Sequence, residues 1–173
     1  LLFPILAIQS IIPPMKQKDA LKILKAGKNV YLTGAAGSGK THTLNEYIAY
    51  LKNRGVSVAI TASTGIAATH IGGTTIHSWS GSGIKDDLSD QDIERLVQKE
   101  YLYKKFEKAK VLIIDEVSML SSRLFDSVDR ICKAMKRNEE PFGGMQVVLS
   151  GDFFQLPPIA REGGKADFIH VSD

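Results

Sequence analysis

The chain has 173 residues, enough to bury a hydrophobic core within one domain. Hydrophobic residues make up 43% and charged residues 24%, the balance of an ordinary globular protein, with no internal repeat or low-complexity stretch. The net charge of +3 is too small to argue for a nucleic-acid face, which needs clustered charge, and the single cysteine, Cys132, excludes an internal disulfide and fits a reducing compartment.

Residues 1–14 are mostly apolar. This run is shorter than the roughly 20 residues that a membrane-spanning helix needs. It lacks the basic flank of a signal peptide and closes on Pro13 and Pro14, which end a helix. It reads as an apolar tail, upstream of a true start at Met15, and residues 15–173 read as the domain. The chain opens on Leu1 and stops abruptly at Asp173, so a fragment of a longer protein is expected.

Leu21, Ile23 and Leu24 on a polar background predict a short helix that ends near Gly27. A strand follows over 29–33, then a glycine-rich turn over 34–39. The helix after it, 41–52, carries Leu44, Ile48 and Leu51 on one face. Residues 56–61 are rich in β-branched side chains and predict a second strand. A short helix is expected over 64–70 and a loop over 72–83. Ser89 and Asp92 predict the capped start of a helix running to about Lys108. Residues 111–115 form a continuous apolar strand ending in an acid. Leu124, Phe125, Val128, Ile131, Cys132 and Met135 recur at helical spacing, a core stripe. Residues 146–150 and 168–171 predict two further strands. Strands alternating with helices imply an α/β fold, a doubly wound and mostly parallel sheet with helices on both faces. Ligands in such sheets sit beyond the carboxyl ends of the strands.

Four stretches after strand ends carry chemistry. Gly34-Ala35-Ala36-Gly37-Ser38-Gly39-Lys40-Thr41 matches the phosphate-binding P-loop pattern in full, between a strand and a helix. Its glycines let backbone N–H groups converge on phosphate oxygens, and the helix start adds partial positive charge. Lys40 supplies a point charge to the β- and γ-phosphates, and Thr41 a hydroxyl to Mg²⁺. Asp115 and Glu116, delivered by the apolar strand, divide metal binding from activation of the attacking water. Gln155, in Gly151-Asp152-Phe153-Phe154-Gln155, can donate and accept, and so can register a γ-phosphate. Thr64 and Gly65, with His77 and Trp79 further on, offer hydroxyl, backbone and ring contacts of the kind that hold a nucleic-acid strand. Trp79 fits a base-stacking role and a core role equally well. His77 fits a polar DNA contact or a hydrogen-bonding brace.

Taken in order, these stretches resemble the PIF family of DNA helicases, in the five-prime-to-three-prime branch of superfamily one. The resemblance covers about residues 16–173 and is most specific in Asp115-Glu116-Val117-Ser118-Met119-Leu120 and in Gly151-Asp152-Phe153-Phe154-Gln155-Leu156-Pro157-Pro158. It implies a RecA-like P-loop NTPase lobe using ATP and Mg²⁺, with Gln17 on the adenine, Lys40 and Thr41 on phosphate and metal, and Asp115 and Glu116 on metal and water. It further implies that Gln155 couples the γ-phosphate to DNA, and that Thr64, Gly65 and His77 line the path of a single strand. The implied partners are single-stranded DNA, or duplex with a single-stranded tail, and a second RecA-like lobe of the same parent chain, whose motifs are absent here. No membrane partner is implied. The implied setting is intracellular, in a bacterial cytoplasm, a nucleus or a mitochondrion, with roles in repair, recombination and telomere maintenance. The alternatives are a RecD-like or relaxase-type motor, or a non-motor P-loop ATPase or kinase.

Overall fold

The computed structural model describes residues 15–152. The strand expected at 168–171, and Gln155, lie outside the described residues. Five strands form one sheet: β1 (Val30–Thr33), β2 (Val58–Ala62), β3 (Thr74–Thr75), β4 (Val111–Asp115) and β5 (Gln146–Gly151). They lie in the order β1-β5-β4-β2-β3, and every pairing is parallel. The helices are α1 (Gln17–Lys25), α2 (Lys40–Asn53), α3 (Gly65–His70), α4 (Ile76–Ser80), α5 (Asp90–Val97), α6 (Glu100–Lys108) and α7 (Ser122–Lys136). Among the described residues no helix is long and apolar enough to cross a membrane.

The continuous apolar run of β4 follows from burial on both faces. Val111 and Ile113 pack with Leu44, Tyr47, Ile48 and Leu51 of α2. Leu112 and Ile114 point the other way, into a larger core with Leu124, Val128, Ile131 and Met135 of α7. A strand alternates its side chains, so every residue of a doubly covered strand must be apolar. Gln146, at the opening of β5, ties the sheet to α1. Its amide donates to Leu24 O at 3.0 Å and Lys28 O at 2.7 Å, and its Oε1 accepts from Tyr47 Oη at 2.7 Å.

Two expected elements differ from those observed. The segment 72–83, expected as a loop, holds β3 and α4. Thr75 Oγ1 accepts from Ser78 N at 3.2 Å and caps α4. Gly73 passes so close to Ile60 O that a Cβ there would collide with it, which lets the two-residue strand pair with β2. Such short elements have no periodicity to read. The helix expected from 89 to 108 is two helices, α5 and α6, parted at Lys99, whose ψ of 100° is extended. Leu96 and Leu102 are both buried. At about 100° per residue, a continuous helix would point them roughly 120° apart, away from a shared core. The break resolves that conflict. The cap itself is as expected: Ser89 and Asp92 form a reciprocal capping box.

Of the two roles open to Trp79, base stacking and core packing, its burial matches the core. Only 6% of it is exposed, and its ring lies 4.3 Å from that of Phe106. Lys105 donates to its carbonyl oxygen and carries its ammonium 5.6 Å from the ring. Trp79→Ala is therefore expected to lower unfolding stability by about 3–5 kcal/mol in chemical denaturation. Affinity of the folded fraction for single-stranded DNA should stay unchanged, and a loss of affinity at unchanged stability would restore the stacking role.

Candidate nucleotide-binding site

β1 runs directly into the P-loop, and α2 leaves from its far end. Gly37 and Gly39 have φ of 77° and 88°, values that L side chains rarely adopt. A Cβ on Gly39 would also strike the amide of Gln17. That amide donates to Ser38 O at 3.3 Å, so α1 holds Gln17 against the loop. Lys40 arches back across the loop and donates to Gly34 O at 2.5 Å and Ala35 O at 3.2 Å. Thr43 Oγ1 donates to Gly39 O at 3.1 Å and pins the first turn of α2. Thr41 is exposed in that same turn. The first N–H groups of α2 lack intrahelical acceptors and carry the positive end of a 14-residue helix. The loop is thus built for an anion.

The acids arrive from β4. Asp115 is buried, and its Oδ1 accepts from Glu116 N at 3.0 Å. Glu116 turns into the left-handed region, φ 51° and ψ 43°, a conformation costing about 1–2 kcal/mol for a residue with a Cβ. The Glu116 carboxyl titrates above the usual carboxylate range. Burial is the main cause, the charges of Asp115 and Asp152 add to it, and Lys40 opposes it.

Register explains how these groups meet. β5 pairs with β1 through Val30↔Val148 and Thr33↔Gly151, and with β4 through Ile113↔Val148. The P-loop, Asp152 and the acid pair therefore leave three adjacent strands at one end of the sheet. Val148 and Ile113 both face α2, so Ser150 and Asp115, two residues on, share that face. The Ser150 hydroxyl is buried and has no hydrogen-bond partner. A hydroxyl left so costs about 1–3 kcal/mol, and a polar ligand arriving beside Asp115 would relieve that cost. Among the described residues no group of three or more His, Cys, Asp or Glu is placed to hold a metal. An Asp carboxylate and a Thr hydroxyl are hard oxygen donors. They suit Mg²⁺, which takes few protein ligands and completes its shell with phosphates and water.

Thr64 and Gly65 follow β2, and His77 lies in α4, beyond β3. Thr64 Oγ1 accepts from Ala67 N at 3.2 Å and caps α3. Gly65 is exposed, with open space around its Cα. His77 is held by Asp86: its Nε2 lies 3.2 Å from Asp86 Oδ1, while Asp86 Oδ2 accepts from Ser121 Oγ at 3.2 Å. Sequence reasoning missed Ser63, Asp86 and Ser121 as parts of this frame, because their partners lie far away in the chain or across the fold. A cavity of about 390 Å³ beside Lys110, Lys136 and Met145 lies at the opposite end of the sheet, next to the starts of β4 and β5.

Comparison with known proteins matches residues 15–172 to the PIF1-like helicase family model. The chain is 60% identical over 149 residues to the ATP-dependent DNA helicase Pif1 of Psychrobacter sp., covering 86% of this chain and 23% of that protein. The crystal structure of Pif1 helicase from Candida albicans superposes with a TM-score of 0.85 at 37% identity, over 94% of this chain and 37% of that one. Pif1 helicase from Bacteroides in complex with ADP-AlF3 and ssDNA superposes with a TM-score of 0.77 at 33% identity, over 92% of this chain and 38% of that one. The chain thus spans about a quarter of the curated relative's length.

The strain and electrostatics at Glu116 generate a stability prediction. Glu116→Gly removes the left-handed penalty and the half-buried carboxylate, and is expected to raise unfolding stability by about 1 kcal/mol. Because the folded protein holds this acid above its usual range, ionising it disfavours the fold. The gain should therefore be present at neutral pH and shrink as pH falls through the raised value. A loss of stability at neutral pH would show that the side chain supports the fold.

Proposed function

The chain belongs to the PIF1-like helicase family, and on that premise we propose that it is the ATP-binding RecA-like lobe of a DNA helicase that moves five-prime to three-prime along single-stranded DNA. The observation that carries this reading is the convergence of the P-loop, Asp115 and Glu116 at the carboxyl ends of β1 and β4, on either side of β5. Residues 15–173 form the lobe. Its partners are single-stranded DNA, or duplex with a single-stranded tail, and a second lobe of the parent protein. Relatives named as ATP-dependent DNA helicases, and one solved with ADP-AlF3 and ssDNA, support the choice of nucleotide and strand. Repair, recombination and telomere maintenance follow as the proposed setting, within a cell compartment that holds DNA.

Mg²⁺-ATP, when bound, supplies the phosphoryl group and a cation that neutralises the charge developing on it. Lys40 and the backbone of Gly34, Ala35, Ala36, Gly37, Ser38 and Gly39 hold the phosphates. Thr41 and Asp115 would hold the cation. Gln17, already fixed on the loop, would contact the adenine. Glu116 would take a proton from the attacking water. Gln155 would register the γ-phosphate and pass that state to DNA. Thr64, Gly65 and His77 would hold the strand, with His77 kept in place by Asp86. An arginine from the second lobe would complete the stabilisation of charge, a contribution worth about 10³–10⁵ in rate in related systems.

Two substitutions in the full-length protein test it by ATP binding and DNA-stimulated hydrolysis. Lys40→Ala should abolish ATP binding or turnover, and a wild-type rate would refute the P-loop assignment. Glu116→Gln should preserve nucleotide binding while cutting turnover by about 10²–10⁴, the weight of a general base. Equal loss of binding would make Glu116 a structural residue.

A further inference from the structure

Ser63 occupies the single position between the end of β2 and Thr64, the cap of α3. Its backbone N–H donates to Asp115 O at 3.1 Å, continuing the β2–β4 ladder one step past the Ala62↔Asp115 pair. Its hydroxyl donates to Glu116 O at 2.8 Å. The same carbonyl accepts from Met119 N at 3.1 Å. Two donors thus grip the peptide that leaves Glu116, in a left-handed backbone that a side chain does not adopt unaided.

We propose that Ser63 is a positioning residue that couples the start of α3 at Thr64 and Gly65, assigned above to the DNA strand, to the carboxylate of Glu116. This inference rests on the helicase reading above. Holding the Glu116 carbonyl holds ψ of that residue, and so the direction of its Cα–Cβ bond relative to the gripped peptide. The Ser63 hydroxyl therefore aims the carboxylate without touching the reacting atoms. Below it, the end of β2 is rigid: Ala62 is fully buried and Thr61 Oγ1 donates to Ile113 O at 2.7 Å. Above it, Gly65 is exposed and has open space around it. A sugar–phosphate backbone that displaces the start of α3 moves Ser63 and Thr64, the two residues between these points, and Ser63 is the one bonded to Glu116. The displacement is felt at the hydrogen bond to Glu116.

The test uses the full-length protein and measures steady-state ATP hydrolysis with and without an oligothymidylate strand. Ser63→Ala is expected to lower the ratio of DNA-stimulated to DNA-free turnover about tenfold, with the loss in kcat. The KM for ATP, and the Kd for the oligonucleotide by fluorescence anisotropy, should stay within about twofold. Ser63→Thr keeps the hydroxyl and should restore the ratio. In a Glu116→Gln background, Ser63→Ala should lower the ratio no further, because its effect passes through that carboxylate. An unchanged ratio in Ser63→Ala, failure of Ser63→Thr to restore it, or an equal fractional loss in both backgrounds would overturn the proposal. Absence of any DNA stimulation in the wild-type protein would instead overturn the helicase reading itself, so the two failures are distinct.

Discussion

β5 lies between β1 and β4, and the site depends on that placement. Val148 pairs with Val30 on one side and Ile113 on the other, which brings three strand ends level. The P-loop follows the first strand, the acid pair the last, and Asp152 the one between. Lys40 and Glu116 are far apart in the chain, yet Lys40 acts on the ionisation of Glu116. Only a parallel sheet closed by β5 gives them that reach. The apolar residues of β4 and β5 are buried on both faces, so the sheet order is secured by most of the core.

That scaffold carries local arrangements that would be unfavourable alone. Glu116 sits in a left-handed conformation, Asp115 is buried beside it, and the Ser150 hydroxyl is buried without a partner. Gly37 and Gly39 hold backbone angles closed to other residues. Strain and unsatisfied groups cluster where chemistry happens, supported by well-packed elements elsewhere. Here Glu116, Ser150 and the P-loop glycines lie at one end of the sheet. At the opposite end Arg137 and Phe142 also take positive φ, in the turns that lead from α7 into β5, and the bridge from Gln146 to Leu24 and Lys28 joins the sheet to α1.

The parts legible in the sequence were those with a pattern longer than a few residues. The P-loop matched a full motif between a strand and a helix, and both flanking elements are present. The apolar run of 111–115 and the stripe from Leu124 to Met135 were unambiguous because burial imposes strict spacing. The capping box at Ser89 and Asp92 was legible because both halves lie within four residues. What escaped was set by tertiary contact. The strand at Thr74–Thr75 exists because β2 offers an edge and Gly73 permits close approach. The break between α5 and α6 follows from where Leu96 and Leu102 must point. Trp79 fitted core and surface roles equally until Phe106 and Lys105 were seen to enclose it. The grip of Ser63 on Glu116 joins residues 53 apart and leaves no trace in spacing.

The central claim is that nucleotide phosphates bind where β1, β5 and β4 end together. The most direct test is a crystal structure of the full-length protein with Mg²⁺, ADP and aluminium fluoride. The account predicts the β-phosphate and the fluoride within the loop from Gly34 to Thr41, the cation between Thr41 and Asp115, and Glu116 facing the attacking water. Nucleotide bound elsewhere, for instance in the cavity beside Lys110 and Lys136 at the opposite end of the sheet, with the loop empty, would contradict it.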